Sequence, residues 1–319
     1  MLKSADLPLS QPLVFDPIFQ ERIWGGRRLE SLYGKKLPPE VCIGESWEIV
    51  DRVEAQSVVA AGPWQGRTLH DLWSNERTEI FGHMPESARF PLLIKLLDAR
   101  ERLSLQVHPP AAIATELAGE AKTEFLYIAE ASPAAELYVG LRKDGSRARL
   151  ETALKQGTVE EIAHAIPVRT GDAMFLPSGR LHAVGAGNVI VEIMENSDTT
   201  YRVFDWNRRD DQGRSRELHI EKALRSIDFE DYEPKQVTPA GECLVRHSAF
   251  EVEKWNLEAE RMASPGGKFA IVGCLSGKIS CAGTSILPGE FFLLPASLRD
   301  RRLIPCAPNS VLLRITIPD

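Results

Sequence analysis

The sequence has few cysteines and no long apolar run. Its five cysteines, at positions 42, 243, 274, 281 and 306, form no CxxC pair. An odd, scattered set is typical of reduced thiols rather than of a disulfide framework. No stretch approaches the roughly 18 apolar residues of a membrane span. Three prolines before residue 19 also interrupt any signal-peptide core. We therefore expect a cytoplasmic protein without a membrane partner.

The sequence also lacks an excess of positive charge. It contains 38 Lys and Arg against 45 Asp and Glu among 319 residues, a formal net charge of −7. A nucleic-acid surface needs clustered basic residues, so we expect no nucleic-acid partner. Hydrophobic residues at 43% and charged residues at 26% are close to the globular average. The length suits one large domain or two modest ones.

Short apolar runs between turn residues favour a mainly β fold with a few helices. The clearest predicted strands are 46–50, 125–128, 173–176, 189–194, 269–275, 290–294 and 311–317. Thr68 with Asp71 resembles a capping box at the start of a helix. Helical spacing of apolar residues predicts a short helical segment at about 147–165 and a further helix at 217–226.

One motif occurs twice. Residues 171–177 (GDAMFLP) resemble residues 289–295 (GEFFLLP): a turn glycine and an acid precede a strand that ends at proline. The repeat indicates two related β units, with a charged, proline-containing linker at 231–238. Only the first copy continues into a histidine, His182, so we assign the chemistry to the first unit.

Four residues of the first unit could bind a metal. Gln106 and His108 are two apart, so on a strand both point to one face. Glu124 opens the next apolar strand, and His182 follows a turn. Each residue alone is more often structural than a ligand, and only their combination raises the expectation. One carboxylate against a divalent ion would leave a net charge of about +1, which suits an anionic ligand.

The pattern Gly171-x5-Pro177-x-Gly179-x2-His182 resembles the second motif of the cupin superfamily. It departs from that motif at Ala186, where an asparagine is usual. The same departures occur in type I mannose-6-phosphate isomerases, and motifs along most of the chain resemble those of this family in its compact bacterial form. The matching stretches are residues 22–26, 44–48, 90–95, 103–109, 122–124 and 196–206.

The resemblance implies a fold and a domain organisation. The fold is a cupin-like double-stranded β-helix barrel, or jelly roll, with a second, smaller cupin-like β domain. Residues 1–232 would form the metal-binding catalytic domain, including the helical segment at about 147–165. Residues 233–319 would form a β-barrel-like domain without metal ligands.

The resemblance also implies an activity: zinc-dependent interconversion of mannose 6-phosphate and fructose 6-phosphate through an enediolate. The zinc ligands, one ion per chain, would be Gln106, His108, Glu124 and His182, with Gln106 a weak ligand because its amide is neutral. Trp24, Lys95 and Ser104 correspond to pocket-lining, substrate-binding positions, although an aromatic side chain such as Trp24 could equally be packed in the core.

The catalytic residues implied are Arg202, Lys122 and Glu192. Arg202 could stabilise the enediolate, bind phosphate, or form a salt bridge to Asp198 or Asp205. Either Lys122 or Glu192 could be the base, and a buried ion pair is the structural alternative for Glu192. Ala121 replaces a histidine of longer family members, which excludes a mechanism that requires it.

Two other functions stay open from the sequence. One is a catalytically inactive sugar-phosphate-binding cupin module. The other is an iron oxygenase, whose usual two-histidine, one-carboxylate site does not explain Gln106, Lys122 or Arg202. The partner that we expect is a small-molecule sugar phosphate. We expect a monomer or weak homo-oligomer.

Overall fold

Antiparallel strands are the predominant secondary structure, as the short apolar runs predicted. The structure is a computed structural model and describes residues 9–209 and 212–318. In chain order the strands are β1 (Ile18–Gly26), β2 (Ile43–Ile49), β3 (Leu92–Ala99), β4 (Leu105–Val107), β5 (Glu124–Ala131), β6 (Glu136–Leu141), β7 (Ala163–Pro167), β8 (Ala173–Leu176), β9 (His182–Val184), β10 (Asn188–Glu195), β11 (Tyr201–Phe204), β12 (Cys243–Arg246), β13 (Glu251–Asn256), β14 (Arg261–Met262), β15 (Ala270–Ser276), β16 (Ile279–Cys281), β17 (Thr284–Ile286), β18 (Phe291–Leu294), β19 (Arg302–Pro305) and β20 (Val311–Thr316).

The helices are short and few. In chain order they are α1 (Arg28–Tyr33), α2 (Leu69–Asn75), α3 (Arg77–Phe81), α4 (Ala111–Ala114), α5 (Arg147–Gln156) and α6 (Ile220–Ser226), with a 3-10 turn at Val159–Glu161. Thr68 caps α2, and its hydroxyl accepts a hydrogen bond from the Asp71 N–H at 3.1 Å, so the predicted cap is confirmed. No helix in the described part of the chain is long and apolar enough to cross a membrane.

The predicted helical segment at 147–165 is correct only in its first part. Helix α5 stops at Gly157, whose φ of +74° is left-handed. Residues after the 3-10 turn form β7, which pairs with β6. The helical spacing of Val159 and Ile162 therefore arises from a turn and not from a continuing helix.

Four sheets build two β units. The first unit holds a six-stranded sheet (β1-β2-β3-β10-β5-β8) and a five-stranded sheet (β11-β4-β9-β6-β7). The second unit holds β12-β13-β20-β15-β18 and β14-β19-β16-β17. The repeated motif occupies equivalent places: β8 is the edge strand beside β5, and β18 is the edge strand beside β15. We propose, on this arrangement, that the domain boundary lies near residues 232 and 233.

The six-stranded sheet is buried on both faces. Its outer face packs on α2, α3 and strands of the second unit in one shared core. Phe81 and Phe269 meet across this junction with ring centroids 5.6 Å apart. Its inner face carries Leu97, Leu126 and Ile190, which belong to a second buried cluster. Truncating a buried ring to Ala costs about 3–5 kcal/mol, so this packing fixes the walls of the barrel.

Candidate metal centre and its cavity

Two histidines and a glutamate meet inside the first barrel. His108 follows β4, Glu124 begins β5 and His182 begins β9. One ligand atom from each lies within 4.8 Å of the other two, the only such group of three His, Cys, Asp or Glu found across the described residues. The three side chains are 4% or less exposed. The topology thus brings together three of the four ligands predicted from the sequence.

Backbone carbonyls orient both imidazoles. His108 Nδ1 lies 2.7 Å from the Thr199 carbonyl, and His182 Nδ1 lies 3.0 Å from the Arg180 carbonyl. Each Nδ1 therefore carries the proton and donates it, which leaves the Nε2 lone pair free to bind a metal. Burial, together with Lys122, lowers the pKa of His108 to about 4, so its neutral form dominates at pH 7.

The free imidazole nitrogens face the carboxylate. His108 Nε2 lies 3.3 Å from Glu124 Oε1, and His182 Nε2 lies 3.2 Å from Glu124 Oε2. His108 Nε2 and Glu124 Oε2 are buried without a hydrogen-bond partner, whereas Glu124 Oε1 has the Lys122 ammonium beside it. Buried polar atoms without partners are costly, and a divalent cation between the imidazoles and the carboxylate would satisfy both. The donor set therefore fits a divalent metal.

Gln106 adjoins this group on the neighbouring strand. It lies opposite His182 in one strand pair and opposite Arg202 in the other. Its amide nitrogen is 3.2 Å from His182 Nε2, and a half-turn of the amide would present its oxygen instead. Gln106 thus stands where a fourth, weaker oxygen ligand would be placed.

Lys122 is ion-paired with the same carboxylate. Its Nζ lies 2.6 Å from Glu124 Oε1, and its side chain is 4% exposed. Burial acts to lower the pKa of Lys122, but Glu124 and Glu192 outweigh it and raise that pKa above its usual value. The lysine is therefore a cation here and has no free amine with which to accept a proton.

A polar cavity of about 420 Å³ opens beside the metal centre. Seven residues predicted from the sequence line it: Trp24, Lys95, Ser104, Gln106, Lys122, Glu192 and Arg202. Seven further lining residues had no assigned role: Arg22, Glu45, Leu97, Leu103, Asp198, Thr200 and Arg216. Arg22 and Glu45 lie within matched family motifs, and a charge on an apolar strand could have drawn attention to Glu45. Nothing in the sequence singled out Arg216.

The cavity wall contains a pair of acids that differ in pKa. Lys95 Nζ lies 3.3 Å from Glu45 Oε2 and 3.7 Å from Glu192 Oε2. Burial and the nearby Glu124 raise the pKa of Glu192 to about 7. Burial also acts to raise the pKa of Glu45, but Lys95 and Arg22 lower it to about 2. Glu192 can therefore exchange a proton near neutral pH, whereas Glu45 stays ionised.

Arg202 has no carboxylate partner within the described residues. Its Nη1 donates to the Glu217 carbonyl at 2.8 Å, and its buried Nε has no hydrogen-bond partner. Asp205, one of the salt-bridge partners considered from the sequence, pairs instead with Arg208 and Arg216. Burial and Arg216 lower the pKa of Arg202. An anion in the cavity would relieve this uncompensated charge.

Comparisons with known proteins show the family and the fold of this chain. Residues 13–127 match the model of the type I phosphomannose isomerase catalytic domain. Mannose-6-phosphate isomerase ManA of Bacillus subtilis (strain 168) is 35% identical over 308 residues, covering 92% of this chain and 96% of the relative. The crystal structure of a Bacillus subtilis mannose 6-phosphate isomerase superposes with a TM-score of 0.84 at 33% identity, over 96% of this chain and all of that one.

A more distant solved structure shares the fold. It is a zinc-bound mannose 6-phosphate isomerase, 17% identical, with a TM-score of 0.76 over 97% of this chain and 100% of its own. The sequence-based resemblance and the expected cupin-like fold are confirmed by these comparisons.

Proposed function

The chain belongs to the type I phosphomannose isomerase family, and on that premise we propose that it interconverts mannose 6-phosphate and fructose 6-phosphate with one zinc ion per chain. The observation that carries the proposal is that the candidate metal ligands lie next to a cavity with candidate catalytic side chains. The buried ligand atoms of His108, Glu124 and His182 lie beside a polar cavity. That cavity is lined by Glu192, whose pKa is raised to about 7, and by Arg202, which has no carboxylate partner among the described residues. Aldose–ketose isomerisation needs a base, charge stabilisation and an anchor for the anion.

We assign the metal to His108, Glu124 and His182, with Gln106 as a fourth ligand. Imidazole nitrogen and carboxylate oxygen are the donors that catalytic zinc commonly takes. Bound there, zinc would supply Lewis-acid polarisation of the sugar oxygens. Metal analysis of the purified protein tests this assignment: zinc supports it, whereas iron would favour oxygenase chemistry.

Glu192 is the proposed base. Its raised pKa, near 7, lets it take a proton from C2 of the aldose and return one to C1. Lys122, which is cationic, is better suited to donate a hydrogen bond to the substrate than to accept a proton. Lys95 holds the Glu192 carboxylate at the cavity wall through its ammonium.

Arg202 is the proposed partner of the charge that develops on the sugar. It lies opposite Gln106 in the strand register and thus beside the metal centre. Its guanidinium can donate to the oxygen of an enediolate as negative charge grows there. Trp24 and Ser104 line the cavity and would shape the space around the sugar.

The proposed reaction has a direct test. The purified protein is incubated with mannose 6-phosphate in D2O, and fructose 6-phosphate formation is followed by a coupled assay and by NMR. Proton transfer through an enediolate predicts turnover with deuterium from solvent at the exchanged carbon. Turnover without any deuterium would point to internal hydride transfer or to a shielded proton relay, and the absence of turnover in a zinc-loaded, folded protein would overturn the proposal.

A further inference from the structure

Five cationic side chains line the cavity, and three of them are already neutralised within the site. Arg22 Nε lies 2.8 Å from Glu45 Oε1, Lys95 is shared by Glu45 and Glu192, and Lys122 is paired with Glu124. These cations hold the acids of the metal end of the cavity. Their charge is therefore not available to a second anion without disrupting those pairs.

The remaining two cations, Arg202 and Arg216, differ from the first three. Arg202 has no carboxylate partner among the described residues, and Arg216 pairs with Asp205, which does not line the cavity. Asp198 lines the same cavity, but neither arginine forms an ion pair with it in the part of the chain that is described. Within the described residues, neither guanidinium group is therefore ion-paired with an acid that lines the cavity.

Asp205, which does not line the cavity, binds the Arg216 guanidinium through two hydrogen bonds. Its side chain is 7% exposed; Oδ2 accepts from Arg216 Nε at 2.8 Å, and Oδ1 accepts from Arg216 Nη2. Oδ1 also accepts from Arg208 Nη2, and Arg208 Nη1 donates to the Arg102 carbonyl. The two-point contact fixes the plane of the guanidinium, and Nη1 forms no hydrogen bond to any residue that the structure describes.

We propose that Arg216 binds the phosphate group of the substrate and that Asp205 is the positioning residue that holds its guanidinium for that contact. The proposal rests on the proposed function, because that function puts a phosphate in this cavity. It also gives the two arginines different roles. Arg202, beside Gln106, would interact with the reacting end of the sugar, and Arg216 would bind the phosphate. Asp205 touches no substrate and acts through Arg216.

The expected signature is in KM and in phosphate binding rather than in kcat. Arg216→Lys keeps the charge but removes the fork, and Asp205→Asn removes the carboxylate that aligns it. Each change should raise KM for mannose 6-phosphate, and the inhibition constant of inorganic phosphate, by about tenfold to hundredfold. Zinc content should not change and kcat should fall much less than KM rises. In the double variant, Asp205→Asn should add little to Arg216→Lys, because its effect passes through Arg216.

Glu253→Gln is the matched control. It removes the carboxylate of a comparably buried arginine pair, Glu253–Arg314, whose side chains are 20% and 15% exposed and which lies in the second β unit. This variant should keep the wild-type KM and phosphate inhibition. If Arg216→Lys or Asp205→Asn only destabilised the protein, its unfolding temperature would fall and its KM would stay unchanged.

Direct titration of inorganic phosphate, monitored by calorimetry, separates this proposal from the proposed function. If the wild-type chain binds phosphate and Arg216→Lys and Asp205→Asn bind it at least tenfold more weakly, the assignment stands even if mannose 6-phosphate is not turned over. Unchanged phosphate binding in both variants, or fully additive effects of the two changes on KM, would overturn it.

Discussion

Glu192 and Lys95 lie directly opposite each other on β10 and β3, with Lys95 Nζ 3.7 Å from Glu192 Oε2. The same ammonium is 3.3 Å from Glu45 Oε2, and Glu45 has Arg22 as a second cationic partner. Lys122 acts on Glu192 as well, but burial and the neighbouring Glu124 outweigh both lysines and raise the pKa of Glu192 to about 7, while that of Glu45 is lowered to about 2. Two acids on one wall thus differ in pKa, an arrangement that enzymes use to separate the roles of neighbouring carboxyl groups.

The first prediction concerns the pH dependence of the reaction. A base must be ionised, so activity should rise with pH as the Glu192 proton is lost, with a midpoint at or below about pH 7 because a bound cation would lower the value. Glu192→Gln should lower kcat by about 10²- to 10⁴-fold. The measurement is kcat against pH for both proteins, with zinc content as the control. A variant that keeps wild-type kcat would exclude Glu192 as the base.

The second prediction concerns the metal ligands. His108→Ala and His182→Ala should each lose bound zinc and activity together, measured as zinc per chain after dialysis. His83→Ala, at an exposed position, should retain both. Full activity in a zinc-free His108→Ala protein would refute the ligand assignment.

Acid should release the metal. Binding requires neutral imidazoles, and the pKa of His108 is lowered to about 4, so this histidine resists protonation until well below pH 6.5. We expect zinc to be retained at pH 6 and lost as the pH falls towards 4. Dialysis at stepped pH, followed by metal analysis, measures the pH at which zinc is released. Release already complete at pH 6.5 would contradict this prediction.

The third prediction concerns Arg202. Arg202→Ala should keep zinc but lose about 10²- to 10³-fold in kcat, because the guanidinium has no structural carboxylate partner and is free to stabilise charge in the transition state. The comparison is kcat and metal content for wild type, Arg202→Ala and Arg202→Lys. If catalysis were untouched in a zinc-loaded Arg202→Ala protein, Arg202 would have no catalytic role.

The fourth prediction concerns stability. Lys35 Nζ lies 2.7 Å from Glu48 Oε1, and the side chains are 7% and 5% exposed. Removing one partner of a buried pair leaves the other charge buried without a counter-charge. Lys35→Met should therefore lower the free energy of unfolding by about 3–5 kcal/mol. Lys143→Met, at an ion pair that is 82% and 34% exposed, should cost less than about 1 kcal/mol. Urea unfolding of both variants makes the comparison, and equal costs would contradict it.

The sequence predicted several strands for a physical reason. The middle strands of the six-stranded sheet are buried on both faces, so a strand such as β10 appears as a continuous apolar run, and a charge within it draws attention. Glu192 was singled out in this way. The apolar pattern could not reveal that β7 replaces the end of the 147–165 helix, because short helical and turn segments share that spacing.

The role of Arg216, and its pairing with Asp205, were not predicted from the sequence for a different reason, since Asp205 was considered only as a partner of Arg202. Both residues lie in the connection between β11 and α6, where no periodicity applies, and several arginines occur close together. Only the fold shows which arginine faces the cavity and which carboxylate holds it. His219 was likewise assigned no role, yet its Nδ1 accepts the Arg202 N–H at 3.1 Å and helps to fix that strand.

The central claim is that one zinc ion at His108, Glu124 and His182 supports isomerisation of mannose 6-phosphate. The most direct measurement is a coupled assay of fructose 6-phosphate formation, run on the protein as purified, after chelation, and during stepwise return of zinc. The account predicts that activity disappears on chelation and returns in proportion to zinc, reaching its plateau at one ion per chain. Full activity in the chelated, zinc-free protein would contradict it.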